Sequence, residues 1–174
     1  MKKGFKKIMA YFCAIALIVT SVTVYNNKSV SAYEDSEYTA LTNGKGAAVG
    51  DWSELFAGTW DGLAGNMSYA GGKLDDLSLK IDESCGQPGT WHLQAKTKLT
   101  GLTAGKTYDI KTKLNSSMAG ILYEKTDATG VVNSNIEIKA GENETTLQFK
   151  ATGETETLIF ELSGMPTGCV IDFK

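Results

Sequence analysis

The chain has 174 residues, with 17 basic and 20 acidic side chains, one histidine, three cysteines and a formal net charge of −3. Every acidic residue lies after position 32, together with only twelve of the lysines, and arginine is absent, so the part from Tyr33 onward carries −8. That balance disfavours a nucleic-acid or anionic-membrane surface, and it suits a neutral or cationic partner or simply solubility.

Met1 to Ala32 combines a basic start (Lys2, Lys3, Lys6, Lys7), an apolar run from Ile8 to Val24 and the small-residue pattern Val30-Ser31-Ala32. This reads as a secretory signal peptide, so the chain is expected to be secreted and extracellular; an uncleaved anchor is the alternative, since the run approaches the length of a membrane span. No Leu-x-x-Cys pattern precedes Cys13 to mark a lipid anchor. Cleavage leaves Cys85 and Cys169, an even pair in an exported protein, consistent with one disulfide or with two free thiols.

The remaining length is that of one domain with one core. Residues 33–50 are polar and contain Asn43-Gly44-Lys45-Gly46, and are expected to form a flexible N-terminal segment ending in a first strand or turn, ahead of a domain over 51–174. Trp52, beside Leu55 and Phe56, is expected to pack in that first strand. Leu77, Leu79 and Ile81 alternate, then Leu93 and Ala95, then Tyr108, Ile110, Thr112 and Leu114. Gly101 to Lys106 and Lys125 to Gly130 read as turns. Ile136 and Ile138 alternate, as do Leu147, Phe149 and Ala151, then Leu158, Phe160 and Leu162, before a last strand at Val170 to Phe173. Short period-2 segments between turn signals, with almost no helical period, predict an all-β fold, an antiparallel two-sheet β-sandwich.

The stretch Gly89-Thr90-Trp91-His92-Leu93-Gln94-Ala95-Lys96 follows the turn residues Gln87-Pro88. Leu93 and Ala95 define an apolar face, and His92, Gln94 and Lys96 the opposite one. An exposed indole stacks on the apolar face of a pyranose while amides and carboxylates pair with its hydroxyls, so Trp91 and Gln94 are candidate sugar-binding residues. A core position for Trp91 and an ordinary surface role for His92 or Gln94 are the competing readings. Trp60, in the glycine-rich Phe56-Ala57-Gly58-Thr59-Trp60-Asp61-Gly62, is a candidate second plate. Either Tyr123 or Glu124 faces the same groove, but not both.

Trp91-His92-Leu93-Gln94, Leu102-Thr103-Ala104-Gly105-Lys106-Thr107-Tyr108, Leu147-Gln148-Phe149, Leu158-Ile159-Phe160-Glu161-Leu162 and Val170-Ile171-Asp172 together resemble carbohydrate-binding modules of the family 4, 9, 16 and 22 type. The resemblance covers roughly Asp51 to Lys174. It implies a β-jelly roll whose concave sheet binds a polysaccharide chain, β-glucan or xylan, and which acts alone or beside a partner glycoside hydrolase. In such a roll the strands holding Trp91, Ile121 to Lys125 and Leu158 to Leu162 share one sheet, and Glu161 faces outward into the groove. The resemblance also implies a structural calcium, with Asp172 as a ligand and Asp51 or Glu54 as its partner. The absence of arginine departs from the pattern. No enzymatic activity is expected: Glu161 with Glu124 is the one carboxylate pair available for glycoside hydrolysis, in a chain too short for a deep catalytic site. The alternative function is a secreted structural or adhesive sandwich that binds a protein through Trp91 and Trp60.

Overall fold

The computed structural model describes residues 31–174 apart from 42, 43 and 45, so the expected leader up to residue 30, with Cys13, lies outside the described residues. Twelve strands follow one another: β1 (Thr39–Ala40), β2 (Ala47–Val49), β3 (Trp52–Ala57), β4 (Asn66–Ala70), β5 (Ser78–Glu83), β6 (Leu93–Thr100), β7 (Thr107–Ser116), β8 (Gly120–Thr126), β9 (Val132–Ile138), β10 (Gly141–Lys150), β11 (Thr155–Gly164) and β12 (Val170–Phe173). They form two six-stranded antiparallel sheets. The back sheet has the order β1-β4-β5-β12-β7-β10 and the front sheet β2-β3-β6-β11-β8-β9. The all-β jelly-roll sandwich expected from the alternation is the architecture observed, and β6, β11 and β8 are adjacent in one sheet.

Alternation decides which residues fill the space between the sheets. Leu79 and Ile81 of β5, Leu147 and Phe149 of β10, Phe160 and Leu162 of β11 and Ile171 and Phe173 of β12 are all buried. Trp52 packs on Phe173 with ring centroids 4.8 Å apart and on Phe160 at 6.1 Å, which ties the front sheet to the back one. Its indole N–H donates to the Lys73 carbonyl at 3.0 Å, satisfying the one polar atom of the ring. Burying such rings stabilises the sandwich by roughly 1.5–3 kcal/mol per large apolar side chain.

Residues 33–50, read as a flexible lead-in, supply an edge strand to each sheet: β1 pairs with β4, and β2 with β3. Cys85 and Cys169, the two cysteines among the described residues, are free thiols. Cys85 lies against the Thr90 hydroxyl and the Ser163 carbonyl, whereas buried Cys169 faces the Ser116 hydroxyl at 3.3 Å, so the two side chains are directed to different surroundings.

Candidate functional site

The outer face of the front sheet is set by its register. Gln94 of β6 lies opposite Phe56 of β3 and Glu161 of β11, and Glu161 lies opposite Tyr123 of β8. One row across four strands therefore reads Phe56, Gln94, Glu161, Tyr123. The next row on the same face reads Glu54, Lys96, Ile159, Lys125. Aromatic rings flank the first row, and an amide and a carboxylate occupy its middle.

The middle of the row is pre-organised. Gln94 Nε2 donates to Glu161 Oε1 at 3.1 Å, and Lys125 Nζ donates to the same oxygen at 2.5 Å. These partners lie over the carboxylate, so Glu161, although directed outward as expected, is only 3% exposed. A second pair, Lys96 Nζ to Glu54 Oε2 at 2.5 Å, stands beside it. Tyr123 faces outward and donates from its hydroxyl to Asn135 Oδ1 at 2.9 Å.

Trp91, 41% exposed, sits at the end of the row above Phe56, with ring centroids 5.8 Å apart. Its loop is fastened to β11 through buried Ser163, whose hydroxyl donates to the Thr90 carbonyl at 2.9 Å and accepts from the Leu93 amide at 3.1 Å. Gly89 lets the same loop pass over Tyr123: its φ is +76°, and a β-carbon there would lie 3.0 Å from the tyrosine ring. Trp60, 56% exposed, is presented by a two-residue turn in which Asp61 and Gly62 both have positive φ and Trp60 and Leu63 exchange two backbone hydrogen bonds. An Asp-Gly pair is suited to this left-handed turn.

His92 is buried rather than on the surface. Its ring stacks on Trp91 with planes 8° apart, Nδ1 lies 3.0 Å from the Thr90 hydroxyl and Nε2 lies 3.2 Å from the Trp60 carbonyl. A carbonyl only accepts, so Nε2 carries the hydrogen. Both nitrogens are thus engaged within the protein, and the histidine backs the tryptophan instead of presenting a polar edge to a ligand.

The choice between Tyr123 and Glu124 is resolved in favour of Tyr123, since Glu124 turns inward and is wholly buried. Glu161 and Glu124 consequently lie on opposite faces of the sheet and cannot flank one glycosidic bond. Asp172 Oδ1 accepts from the Ser78 hydroxyl at 2.5 Å on the outside of the back sheet, while Asp51 lies in the turn between β2 and β3 of the other sheet. Among the described residues no group of three or more His, Cys, Asp or Glu is placed to hold a metal ion, and two carboxylates alone are fewer than the roughly six to eight oxygens that calcium takes.

Phe56 and Lys125 belong to the site although their residue types gave no sign of it. The β2–β3–β6 register shifts between Trp52 and Glu54, so Trp52 and Leu55, three residues apart, both point inward and Phe56 points out. Lys125 is found only by pairing: it lies opposite Ile159, two residues along the β8–β11 ladder from the Glu161–Tyr123 pair and diagonal to Glu161.

The fold is that of a two-sheet β-sandwich of the kind found in carbohydrate-binding modules. Among solved structures, the chain is similar to a CBM4 module described for structure and function, at 22% identity and a TM-score of 0.52 over 78% of this chain and 90% of that one. It is also similar to the ligand-free CBM1 module of BiXyn10A, at 16% identity and a TM-score of 0.52 over 78% of this chain and 93% of that one. No protein-family model and no curated protein matches the chain.

Proposed function

We propose that this protein is a secreted, non-catalytic carbohydrate-binding module that holds a polysaccharide chain of the β-glucan or xylan class across the outer face of its front sheet. The observation that carries this reading is the single row Phe56, Gln94, Glu161, Tyr123, with Trp91 and Trp60 at its end. Sugar rings stack on Trp91, Trp60 and Tyr123, and hydroxyls pair with the Gln94 amide and the Lys125 ammonium, both of which the covered Glu161 carboxylate holds in place. His92 contributes as the support of Trp91. The similarity in fold to carbohydrate-binding modules is consistent with this use of the face. The chain serves as a free binder or delivers a partner glycoside hydrolase to its substrate.

Affinity electrophoresis of residues 33–174 through gels containing soluble β-glucan, xylan or mannan tests the proposal. Retardation in β-glucan or xylan that Trp91→Ala removes is the expected result. Unchanged mobility of the folded protein in every gel would overturn it and favour a sandwich that binds a protein through the same tryptophans. Affinity in the micromolar to millimolar range, about −8 to −4 kcal/mol, is expected, because a few stacked rings must offset the ordering of a flexible chain.

A further inference from the structure

In the back sheet, β12 covers only part of β7. Their ladder runs from Ile171 opposite Ser116 to Phe173 opposite Leu114, and the Lys174 amide adds one last bond to the Lys113 carbonyl at 3.0 Å. β7 itself begins at Thr107, and β10 pairs with it along its whole length on the other side. Along an antiparallel strand the amide and carbonyl of one residue point to the same side, and successive residues point to opposite sides. The Lys113 carbonyl therefore fixes the pattern: Ile110 and Thr112 bond toward β10, while Asp109 and Lys111 turn their peptide groups toward the place that β12 does not reach. Part of an interior strand is left as an open edge.

Beside this edge the sheets do not close over one another. A cavity of about 210 Å³ lies there, with Trp52, Leu99 and Phe160 of the front sheet as its floor and Ile110 and Phe173 of the back sheet at its sides. Exposed Leu74, from the turn between β4 and β5, lines its mouth. Lys111, Lys113 and Lys174 border it, and none of them takes part in an ion pair among the described residues.

Unpaired peptide groups beside an apolar slot fit a ligand that brings its own extended backbone. Side chains of an added strand alternate, so those level with Ile110 and Thr112 enter the cavity and the one level with Lys111 lies among the lysines. A small amphiphile would fill the slot but leave the Asp109 and Lys111 peptide groups unpaired. A second copy of the same edge is disfavoured, since antiparallel pairing centred on Lys111 sets two lysines opposite each other. We propose that the β7 edge from Asp109 to Lys113 binds an extended peptide segment of another protein by strand addition, with apolar residues entering the cavity and an acidic residue between them meeting the lysines. The added strand runs in the direction of β12. This edge belongs to the back sheet, so it is independent of the glycan-binding reading of the front one.

Fluorescence anisotropy with labelled heptapeptides, beside amide hydrogen exchange followed by NMR, tests it on residues 33–174. A peptide alternating valine and glutamate should bind, and its valine–lysine counterpart should bind at least about tenfold more weakly. N-methylation of the glutamate amides, which face β7, should abolish binding, whereas N-methylation of the valine amides should not. In the free protein the Lys111 amide should exchange fast although it lies within a strand, with the Ile110 and Thr112 amides slow; the peptide should protect Lys111. Lys111→Glu should reverse the order of the two peptides with thermal unfolding unchanged, because the side chain is exposed. A Lys111 amide already protected in the free monomer, no binding of either peptide, or equal binding after N-methylation of the glutamates would overturn the proposal. Protection of Lys111 that grows with protein concentration in the absence of peptide would assign the edge to a second copy and overturn it as well.

Discussion

Glu124 is wholly buried between the two sheets, where burial pushes its pKa above the usual carboxylate value and the hydroxyls of Thr145 and Thr112 offset this only in part. Thr112 donates to Glu124 Oε1 at 3.1 Å, and Thr145 is its register partner on the neighbouring strand. On its own sheet the inward neighbours are Leu122, Thr126 and Phe160, and Glu124 takes part in none of the ion pairs among the described residues. A neutral carboxyl suits these surroundings far better than an ionised one. In the unfolded chain the group ionises near 4.5, so its favourable contribution is complete below that pH and is lost as the pH climbs through the higher folded-state value. Stability should therefore fall by about 1.4 kcal/mol for each pH unit between the two values. Glu124→Gln, equal in size and never charged, should remove this slope and unfold at a higher temperature than the wild type under alkaline conditions. Thermal midpoints of the two proteins from about pH 4 to about pH 9 check this; parallel curves would show that Glu124 does not titrate within the core.

At the scale of elements, the loop from Ser84 to His92 places the principal plate, and its anchor is a serine on a different strand. Removing the Ser163 hydroxyl leaves the Thr90 carbonyl and the Leu93 amide without their partner beneath the loop. Ser163→Ala should cost about 1–3 kcal/mol in stability and weaken glycan binding by releasing Trp91, measured by denaturant unfolding beside gel retardation. Gly89→Ala acts on the same loop from the other side: the positive φ and the 3.0 Å approach to Tyr123 mean that either the loop or the tyrosine must move. About 1–3 kcal/mol of strain is expected, with binding reduced more than by Gly86→Ala, whose position has a similar positive φ but open space around it. A Gly89→Ala protein with wild-type binding and stability would show that the loop's path is not restrained there. The loop's ends were legible in the sequence because Gln87-Pro88-Gly89 and the alternation after Trp91 are local signals. Ser163 was not, since it marks a contact between residues 73 apart in the chain.

Over the whole molecule, the strands from β5 onward and their inward residues could largely be read from the period-2 pattern, because burial on one side of a sheet leaves its imprint on every second residue, whereas the short β1 and β2 and the strand β4 carry no such alternation and could not be read from it. The grouping of β6, β8 and β11 was legible once the resemblance supplied a topology. The burial of His92 and the inclusion of Phe56 depended on how the loops close over the sheet and on a one-residue bulge, which alternation does not encode. Charge behaves likewise. The sequence shows a chain of −8 after residue 32, whereas the site itself pairs its lysines internally, Lys125 with Glu161 and Lys96 with Glu54. A neutral glycan meeting this face gains neither long-range attraction nor released counterions, so its affinity should be nearly independent of salt. Raising sodium chloride from about 50 mM to about 500 mM should change the dissociation constant by less than about twofold, measured by calorimetry with the polysaccharide that the gels select. A protein or polycation drawn to the acidic surface would instead weaken steeply over that range, since the Debye length falls well below the spacing between surface charges. The salt profile thus separates recognition by the aromatic and amide row from attraction by the molecule's net charge.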